Sequence, residues 1–132
     1  NENDNFGAII AAGEYPEAEL QRIPPDIYAK YFEPGAAPGH GRVVAAIRER
    51  VQFVKHDLLT LQPVGTDFSL IICKNVLLHF NQAQRIEVIR MFHAALTPGG
   101  FLAFEQTQKM PPECAPLFTQ VVADAQLYRK PA

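Results

Sequence analysis

Two short polar segments of the sequence follow apolar runs that have the length of β-strands. The segment His56–Leu58 lies at the end of the run Val51–His56, and the segment Lys74–Asn75 follows the run Asp67–Cys73. The second run is mostly apolar, and its pattern predicts a parallel strand buried on both faces. In an open α/β sheet, ligands bind outside the carboxyl ends of the strands. If the two runs are parallel neighbours, both polar segments therefore lie at one ligand-binding crevice.

The residue types at these positions are suited to holding a polar ligand with a flat ring. The Asp57 carboxylate could accept hydrogen bonds from an amine or a hydroxyl, and Leu58 could flank a ring. The Asn75 amide offers both donors and an acceptor. Short polar side chains also cap turns, and this alternative for Asp57 and Asn75 stays open at the level of sequence.

Composition excludes several classes of protein and ligand. The chain has 132 residues, of which 48% are hydrophobic and 20% charged, and this matches one globular domain. A net charge of −2 and a pI near 6.1 argue against a nucleic-acid partner. No apolar stretch approaches the roughly 20 residues that span a bilayer, and Asn1–Asn5 lacks the basic start of a signal peptide. A cytoplasmic protein without membrane insertion is predicted.

The histidines and cysteines do not have the spacing of a metal site. Neither an HxxxH motif nor paired Cys/His spacing is found among His40, His56, His79, His93, Cys73 and Cys114. We therefore expect no bound metal, two reduced cysteines and a buried, inert Cys73.

The N-terminal third reads as helices separated by glycine- and proline-rich breaks. Residues 6–12 resemble the end of a helix stopped by Gly13. A second helix is predicted from near Pro25 to the Pro34–Gly35 break, because proline is tolerated in a first helical turn. Residues 33–41 form a loop by composition, and Arg42–Arg50 is ambiguous between strand and helix.

The C-terminal half has the pattern of a strand, a crossover helix and a second strand. An amphipathic helix is predicted over 81–97, with Asn81 and Gln84 at capping-box spacing. The strand Gly100–Glu105 follows, and a right-handed connection would make it parallel to the strand at 67–73. A further helix over Ala115–Val122 and a last strand near Ala125–Lys130 complete the predicted elements.

Several segments together resemble the CheR-type chemotaxis receptor methyltransferases. They occur in the same order and spacing over nearly the whole chain, and they are Gly13-Glu-Tyr-Pro, Ile23-Pro-Pro, Tyr31-Phe32, Val51-Gln-Phe, His56-Asp-Leu-Leu59, Cys73-Lys-Asn-Val-Leu-Leu-His-Phe80 and Leu96-Thr-Pro-Gly-Gly-Phe-Leu102. The resemblance implies an S-adenosylmethionine-dependent enzyme that methylates glutamate side chains of a chemoreceptor-like protein, with S-adenosylhomocysteine as the product.

The resemblance also implies roles for individual residues. Asp57 and Leu58 would lie against the adenosine, and Lys74 and Asn75 would approach the cofactor after the strand. The family usually has Asn at position 57, Arg at position 74 and Tyr at position 79. Here these are Asp57, Lys74 and His79. His79 would then face the transferred methyl group as the candidate catalytic residue, and Lys74 lacks the planar donor fork of arginine.

The implied fold is a Rossmann-like, S-adenosylmethionine-dependent methyltransferase fold of the α/β class that is incomplete. The first strands with their Gly-rich loop are missing, since Gly39-His-Gly41 lies in a Pro/Gly loop. Residues 1–132 would be the C-terminal part of the domain, with a small inserted subdomain around 33–50 that could bind a receptor tail by strand addition. Missing strands would leave an open sheet edge, which predicts a homodimer or strand exchange.

Two functions follow from these expectations. The first is methyl transfer to glutamate carboxylates, although the absent Gly-rich loop leaves enzymatic activity of this chain open. The alternative is a non-catalytic fragment of the methyltransferase fold that acts as a protein interaction module or retains no activity.

Overall fold

The computed structural model describes residues 2–132, with side chains from residue 5 onward. The chain divides into an N-terminal unit that ends at Lys55 and a C-terminal unit, His56–Ala132. No helix within residues 2–132 has the length and apolar character needed to cross a membrane.

The N-terminal unit is built around a three-stranded antiparallel sheet in the order β1-β3-β2. Its elements in chain order are α1 (Glu2–Ala12), β1 (Glu14–Pro16), a 3-10 turn (Glu17–Leu20), α2 (Pro25–Tyr31), β2 (Phe32–Pro34), β3 (His40–Val43) and α3 (Ala45–Arg48). Gly13, at φ +62°, ends α1 in the left-handed conformation, and this confirms the predicted stop.

The central strand β3 explains where the sequence-based assignment of this unit was wrong. The second helix ends at Tyr31 instead of the Pro34–Gly35 break, because Phe32–Pro34 pairs with β3. The predicted loop over 33–41 is therefore strand at both of its ends. The ambiguous segment Arg42–Arg50 contains both states, with the strand ending at Val43 and a single helical turn following.

Val51–His56, predicted to be a strand, has no regular secondary structure. Its apolar side chains are exposed, with Val51 at 53% and Val54 at 51%. A strand is defined by hydrogen bonds to a neighbour, and β4, the proposed neighbour, pairs only with β5 among the strands of residues 2–132. The prediction that Val51–His56 and β4 are parallel neighbours is therefore wrong. This pairing was expected to bring His56–Leu58 and Lys74–Asn75 to one edge of the sheet.

The C-terminal unit is a four-stranded mixed sheet in the order β4-β5-β7-β6. Its helix and strands are β4 (Phe68–Cys73), α4 (Gln82–Ala95), β5 (Leu96–Phe104), β6 (Thr119–Gln120) and β7 (Leu127–Arg129). Strands β4 and β5 are parallel and are joined by α4, which confirms the predicted unit of strand, helix and strand. The α/β class is therefore confirmed.

Helix α4 begins and packs as its sequence predicts. The Asn81 side chain accepts from the Gln84 N–H at 2.8 Å, and the Gln84 side chain accepts from the Asn81 N–H at 3.0 Å. This reciprocal capping box satisfies two backbone donors at the start of the helix. The helix buries Val88, Ile89, Met91, Phe92 and Ala95 against a core that includes Leu77, Leu102, Phe104, Phe118 and Tyr128.

Two further expectations for this unit were wrong. Strand β4 is not buried on both faces, because Leu70 is 53% and Ile72 66% exposed at the edge of the sheet. The predicted helix over Ala115–Val122 is a 3-10 turn, Ala115–Leu117, followed by β6, whose pairing with β7 replaces further helical hydrogen bonds. The last predicted strand is confirmed as β7.

Candidate functional site

The carboxyl ends of the parallel strands β4 and β5 form a polar corner. Cys73, the last residue of β4, lies opposite Phe104, the last residue of β5. The next residues, Lys74–Asn75 on one strand and Glu105 on the other, therefore emerge at the same edge of the sheet. This is the edge at which open α/β sheets bind ligands.

Asn75 turns the chain sharply away from the sheet and is held by Glu105. Its φ of +59° lies in the left-handed region, which asparagine enters more readily than most residues. Its backbone N–H donates to Glu105 Oε2 at 2.8 Å. The charged acceptor makes this a strong type of hydrogen bond. The residues themselves, Lys74 and Asn75, are exposed.

Glu105 is the residue at this corner that the sequence analysis did not single out. Its second oxygen, Oε1, is buried and has no hydrogen-bond partner among the residues that the structure describes. A buried carboxylate oxygen without a donor is unfavourable. An acidic residue directly after an apolar strand was the available sequence signal, but its partner lies 30 residues away.

The Cys73 thiol is not a nucleophile at this corner. It is buried, and burial raises its pKa to about 11, with the negative charge of Glu105 acting in the same direction. Because the thiolate is the reactive form, we expect Cys73 to be inert at neutral pH. The expected burial of Cys73 is confirmed, and its inertness stays a prediction.

Asp57 performs the turn-capping role that was one of its two open alternatives. Its Oδ1 accepts from the Leu59 N–H at 3.0 Å, and its backbone oxygen accepts from Thr60 Oγ1 at 2.9 Å. These bonds stabilise the 3-10 turn Leu58–Thr60. The carboxylate is otherwise exposed, so its predicted contact with a cofactor stays a prediction.

Leu58 lines an apolar cavity in the C-terminal unit with a volume of about 270 Å³. Phe68 and Ile71 of β4 and Met91 and Phe92 of α4 form other parts of its wall. The cavity lies along the first part of β4, whereas Lys74 and Asn75 follow the last residue of that strand. The structure thus brings Lys74, Asn75 and Glu105 together and places Leu58 beside a separate apolar surface.

His79 ends the 3-10 turn Leu77–His79, which follows the corner. Leu77 is fully buried and anchors the turn, and Arg85 Nε donates to its carbonyl oxygen at 2.8 Å. The His79 side chain is exposed. Its role as a catalytic residue stays a prediction.

Comparison with known proteins identifies the family. A family model described as "CheR methyltransferase, SAM binding domain" matches residues 8–126. Chemotaxis protein methyltransferase 1 of Pseudomonas aeruginosa is 32% identical over 103 residues, covering 75% of this chain and 37% of that protein. Chemotaxis protein methyltransferase of Escherichia coli (strain K12) is 34% identical over 94 residues, covering 69% of this chain and 33% of that protein.

A third relative extends the same pattern. Chemotaxis protein methyltransferase Cher2 of Pseudomonas putida is 33% identical over 91 residues, which cover 68% of this chain and 33% of that protein. The chain thus spans about a third of the length of these relatives. A model match over most of the chain confirms the resemblance found in the sequence, and the chain belongs to the CheR methyltransferase family, in its S-adenosylmethionine-binding domain.

Proposed function

We propose that this chain is the part of a methyltransferase that binds S-adenosylmethionine and aligns it for transfer of a methyl group to glutamate carboxylates of a chemoreceptor-like protein. The observation that carries the proposal is the polar corner at the carboxyl ends of β4 and β5 in a chain of the S-adenosylmethionine-binding family. The names of the relatives support the reaction class, since each is a chemotaxis protein methyltransferase.

The residues at the corner fit this cofactor. S-adenosylmethionine carries N–H and O–H donors on its amino acid, ribose and adenine groups, and a positively charged sulfonium. The corner presents a buried carboxylate oxygen without a partner and the exposed amide of Asn75. We propose that Lys74 and Asn75 hold polar groups of the cofactor, and that Asp57 and Leu58 lie against its adenosine.

The chemistry requires alignment more than acid–base catalysis. The bound cofactor would supply a methyl group on a sulfonium that is ready for displacement. A glutamate acceptor, with an ordinary pKa of about 4.3, is already ionised at neutral pH. The protein therefore has to hold two reactants in line, which accounts for large rate effects in intramolecular systems. His79 has an N–H with which it could orient the acceptor carboxylate.

We further propose that the protein substrate contacts the N-terminal unit. The strands β2 and β3 lie within the stretch 33–50, for which the sequence predicts a small inserted subdomain, and β1 completes their sheet. Both β1 and β2 are edge strands. An extended receptor segment could add to either edge through backbone hydrogen bonds. We also propose that this protein is cytoplasmic.

The open edge of β4 supports a second partner, another copy of this chain. Leu70 and Ile72 expose apolar surface on β4, an edge strand with one side unpaired among residues 2–132, and proteins usually cover such an edge. We propose that a homodimer or strand exchange covers it. Light scattering of the purified chain tests this, and Ile72→Lys should shift a dimer to monomer, whereas a monomer at all concentrations contradicts the proposal.

The experiment that tests cofactor binding is calorimetric titration of the 132-residue chain with S-adenosylmethionine and S-adenosylhomocysteine. We expect saturable binding of one molecule per chain. Lys74→Ala should weaken binding about ten-fold or more, since a charged hydrogen bond contributes roughly 1.5–3 kcal/mol, while the melting temperature stays unchanged. Lys109→Ala, at another exposed lysine of the same unit, is the matched control.

The same titration separates the two roles of Asp57. Asp57→Ala removes the cap of the 3-10 turn, so we expect a small loss of stability. If Asp57 also contacts the cofactor, Asp57→Ala should lose more free energy of cofactor binding than free energy of unfolding. Asp124→Ala, at an exposed aspartate of the same unit, is the control. Absence of binding by the unmodified chain at millimolar cofactor would contradict the proposal for this chain and favour the interaction module.

The reaction itself is tested with radiolabelled methyl donor and glutamate-bearing peptides. Transfer to glutamate peptides but not to the corresponding glutamine peptides supports carboxylate methylation. His79→Ala should lower the rate with little change in cofactor affinity. Equal labelling of both peptides would contradict the proposed acceptor.

A further inference from the structure

Glu105 has a geometry that a turn-stabilising residue alone does not require. One carboxylate oxygen, Oε2, binds the backbone N–H of Asn75 at 2.8 Å. The other, Oε1, is buried and has no donor among residues 2–132. A side chain needed only for the turn could expose its second oxygen to water at little cost, whereas a buried acceptor without a partner is unfavourable.

The position of Glu105 is equally specific. It is the first residue after β5, beside Lys74–Asn75 at the end of β4, so its carboxylate lies at the sheet edge where ligands bind. Asn75 is fixed by its backbone, which leaves its side-chain amide available. Glu105 therefore combines two features of a binding residue: it orients a neighbour and retains one acceptor.

From this geometry we infer that Glu105 is a cofactor-binding and positioning residue: Oε2 fixes the left-handed corner at Asn75, and Oε1 accepts a hydrogen bond from an N–H or O–H donor of S-adenosylmethionine. The inference rests on the proposed function for its ligand. Its first half, the fixing of Asn75, concerns the protein alone and is tested without ligand.

Glu105→Gln separates the two tasks because glutamine has the same shape. The Asn75 N–H requires an acceptor, so the glutamine oxygen takes the place of Oε2 and its NH₂ group takes the place of Oε1. The corner is then retained, while the acceptor offered to the cofactor becomes a donor. Glu105→Ala removes both, and Glu113→Gln, at an exposed glutamate of the same unit, is the matched control.

The first measurement is amide hydrogen exchange at Asn75 by NMR in the absence of ligand. Protection should be retained in Glu105→Gln and lost in Glu105→Ala. Unchanged protection in Glu105→Ala would overturn the positioning role. Because the measurement needs no cofactor, its result does not depend on whether the proposed function holds.

The second measurement is calorimetric titration with S-adenosylhomocysteine and with methylthioadenosine, which lacks the amino acid portion. Glu105→Gln should weaken S-adenosylhomocysteine binding about ten-fold or more. A loss confined to S-adenosylhomocysteine identifies the ammonium as the donor, and an equal loss with both ligands places the donor on the nucleoside. Affinity equal to that of the unmodified chain for both ligands would overturn the contact.

Failure of the inference is distinguishable from failure of the proposed function. If the unmodified chain binds and Glu105→Gln binds equally well, only the Glu105 contact is wrong. If the unmodified chain binds neither ligand, the proposed cofactor function and the contact both fail, and the exchange data alone decide the positioning role.

Discussion

Replacing Lys130 with methionine should destabilise the C-terminal unit by removing the charged group at the end of α4. Lys130 Nζ donates to the backbone oxygens of His93 at 2.8 Å and Leu96 at 2.9 Å. The last carbonyls of a helix carry its partial negative charge, and the His93 oxygen also accepts from the Leu96 backbone N–H. Lys130 follows β7, so this side chain connects the third strand of the sheet to the end of the helix.

The size of the effect follows from these contacts. A hydrogen bond from a charged group contributes about 1.5–3 kcal/mol, and the helix dipole adds about 0.3–1 kcal/mol. Because Lys130 is half-buried, solvent screening lowers these values, and methionine retains the packing of its stem. We expect a loss of about 2 kcal/mol in the free energy of unfolding. For a unit of this size, that lowers the melting temperature by roughly 10 °C.

A second readout is the titration of His93. Burial lowers the pKa of His93, and the positive charge of Lys130 lowers it further. As pH falls through the ordinary histidine pKa of about 6.5, the unfolded chain takes up this proton first, so stability decreases towards the lowered folded pKa. Lys130→Met should move the folded pKa of His93 towards its ordinary value, and the acid-side loss of stability should shrink.

Urea denaturation followed by circular dichroism measures the first effect, and the imidazole NMR signals measure the second. Lys109→Met controls for removal of an exposed lysine from the same unit. Stability within about 0.5 kcal/mol of the unmodified chain, together with an unchanged His93 pKa, would refute the assignment of Lys130 as the partner of the helix end.

Two further predictions concern steric limits and reactivity. Gly41→Ala should destabilise the N-terminal sheet by about 1–3 kcal/mol, because an added methyl group would collide with the Tyr28 hydroxyl and with Leu20. In urea denaturation, adding Tyr28→Phe to this variant should recover part of the lost stability. Full additivity of the two changes would contradict the contact. At pH 7.5 Cys73 should remain unmodified by iodoacetamide in the folded chain and react after denaturation, because its pKa is raised to about 11. Rapid modification of the folded chain, detected by mass spectrometry, would be inconsistent with its burial.

Features determined by local sequence were predictable. The start of α4 depends on Asn81 and Gln84, which are three residues apart, and the end of α1 depends on the single residue Gly13. The parallel pairing of β4 and β5 follows from the handedness and length of the connection between them. Each of these signals lies within one element or one crossover.

Features determined by distant partners were not predictable. Val51–His56 has the residue pattern of a strand, yet a strand forms only where a neighbour completes its hydrogen bonds. Phe32–Pro34 resembles the end of a helix until β3 is placed beside it. Similarly, the sequence identifies Asn75 as a polar residue after a strand, while the contact with Glu105 depends on the register of β4 and β5.

The backbone around β4 indicates what gives the corner its specific shape. Asp67 precedes this strand and Asn75 follows it by two residues, and each has a φ of +59°. Asp and Asn enter the left-handed region at low cost, so neither position stores much strain. A left-handed Asn75 is therefore permitted by its own sequence but not enforced by it, since extended and turn conformations remain accessible to asparagine. The carboxylate of Glu105 supplies the missing restraint, because it accepts a hydrogen bond from the Asn75 N–H. Since Glu105 directly follows β5, the pairing of β4 with β5 sets the direction in which the chain leaves β4.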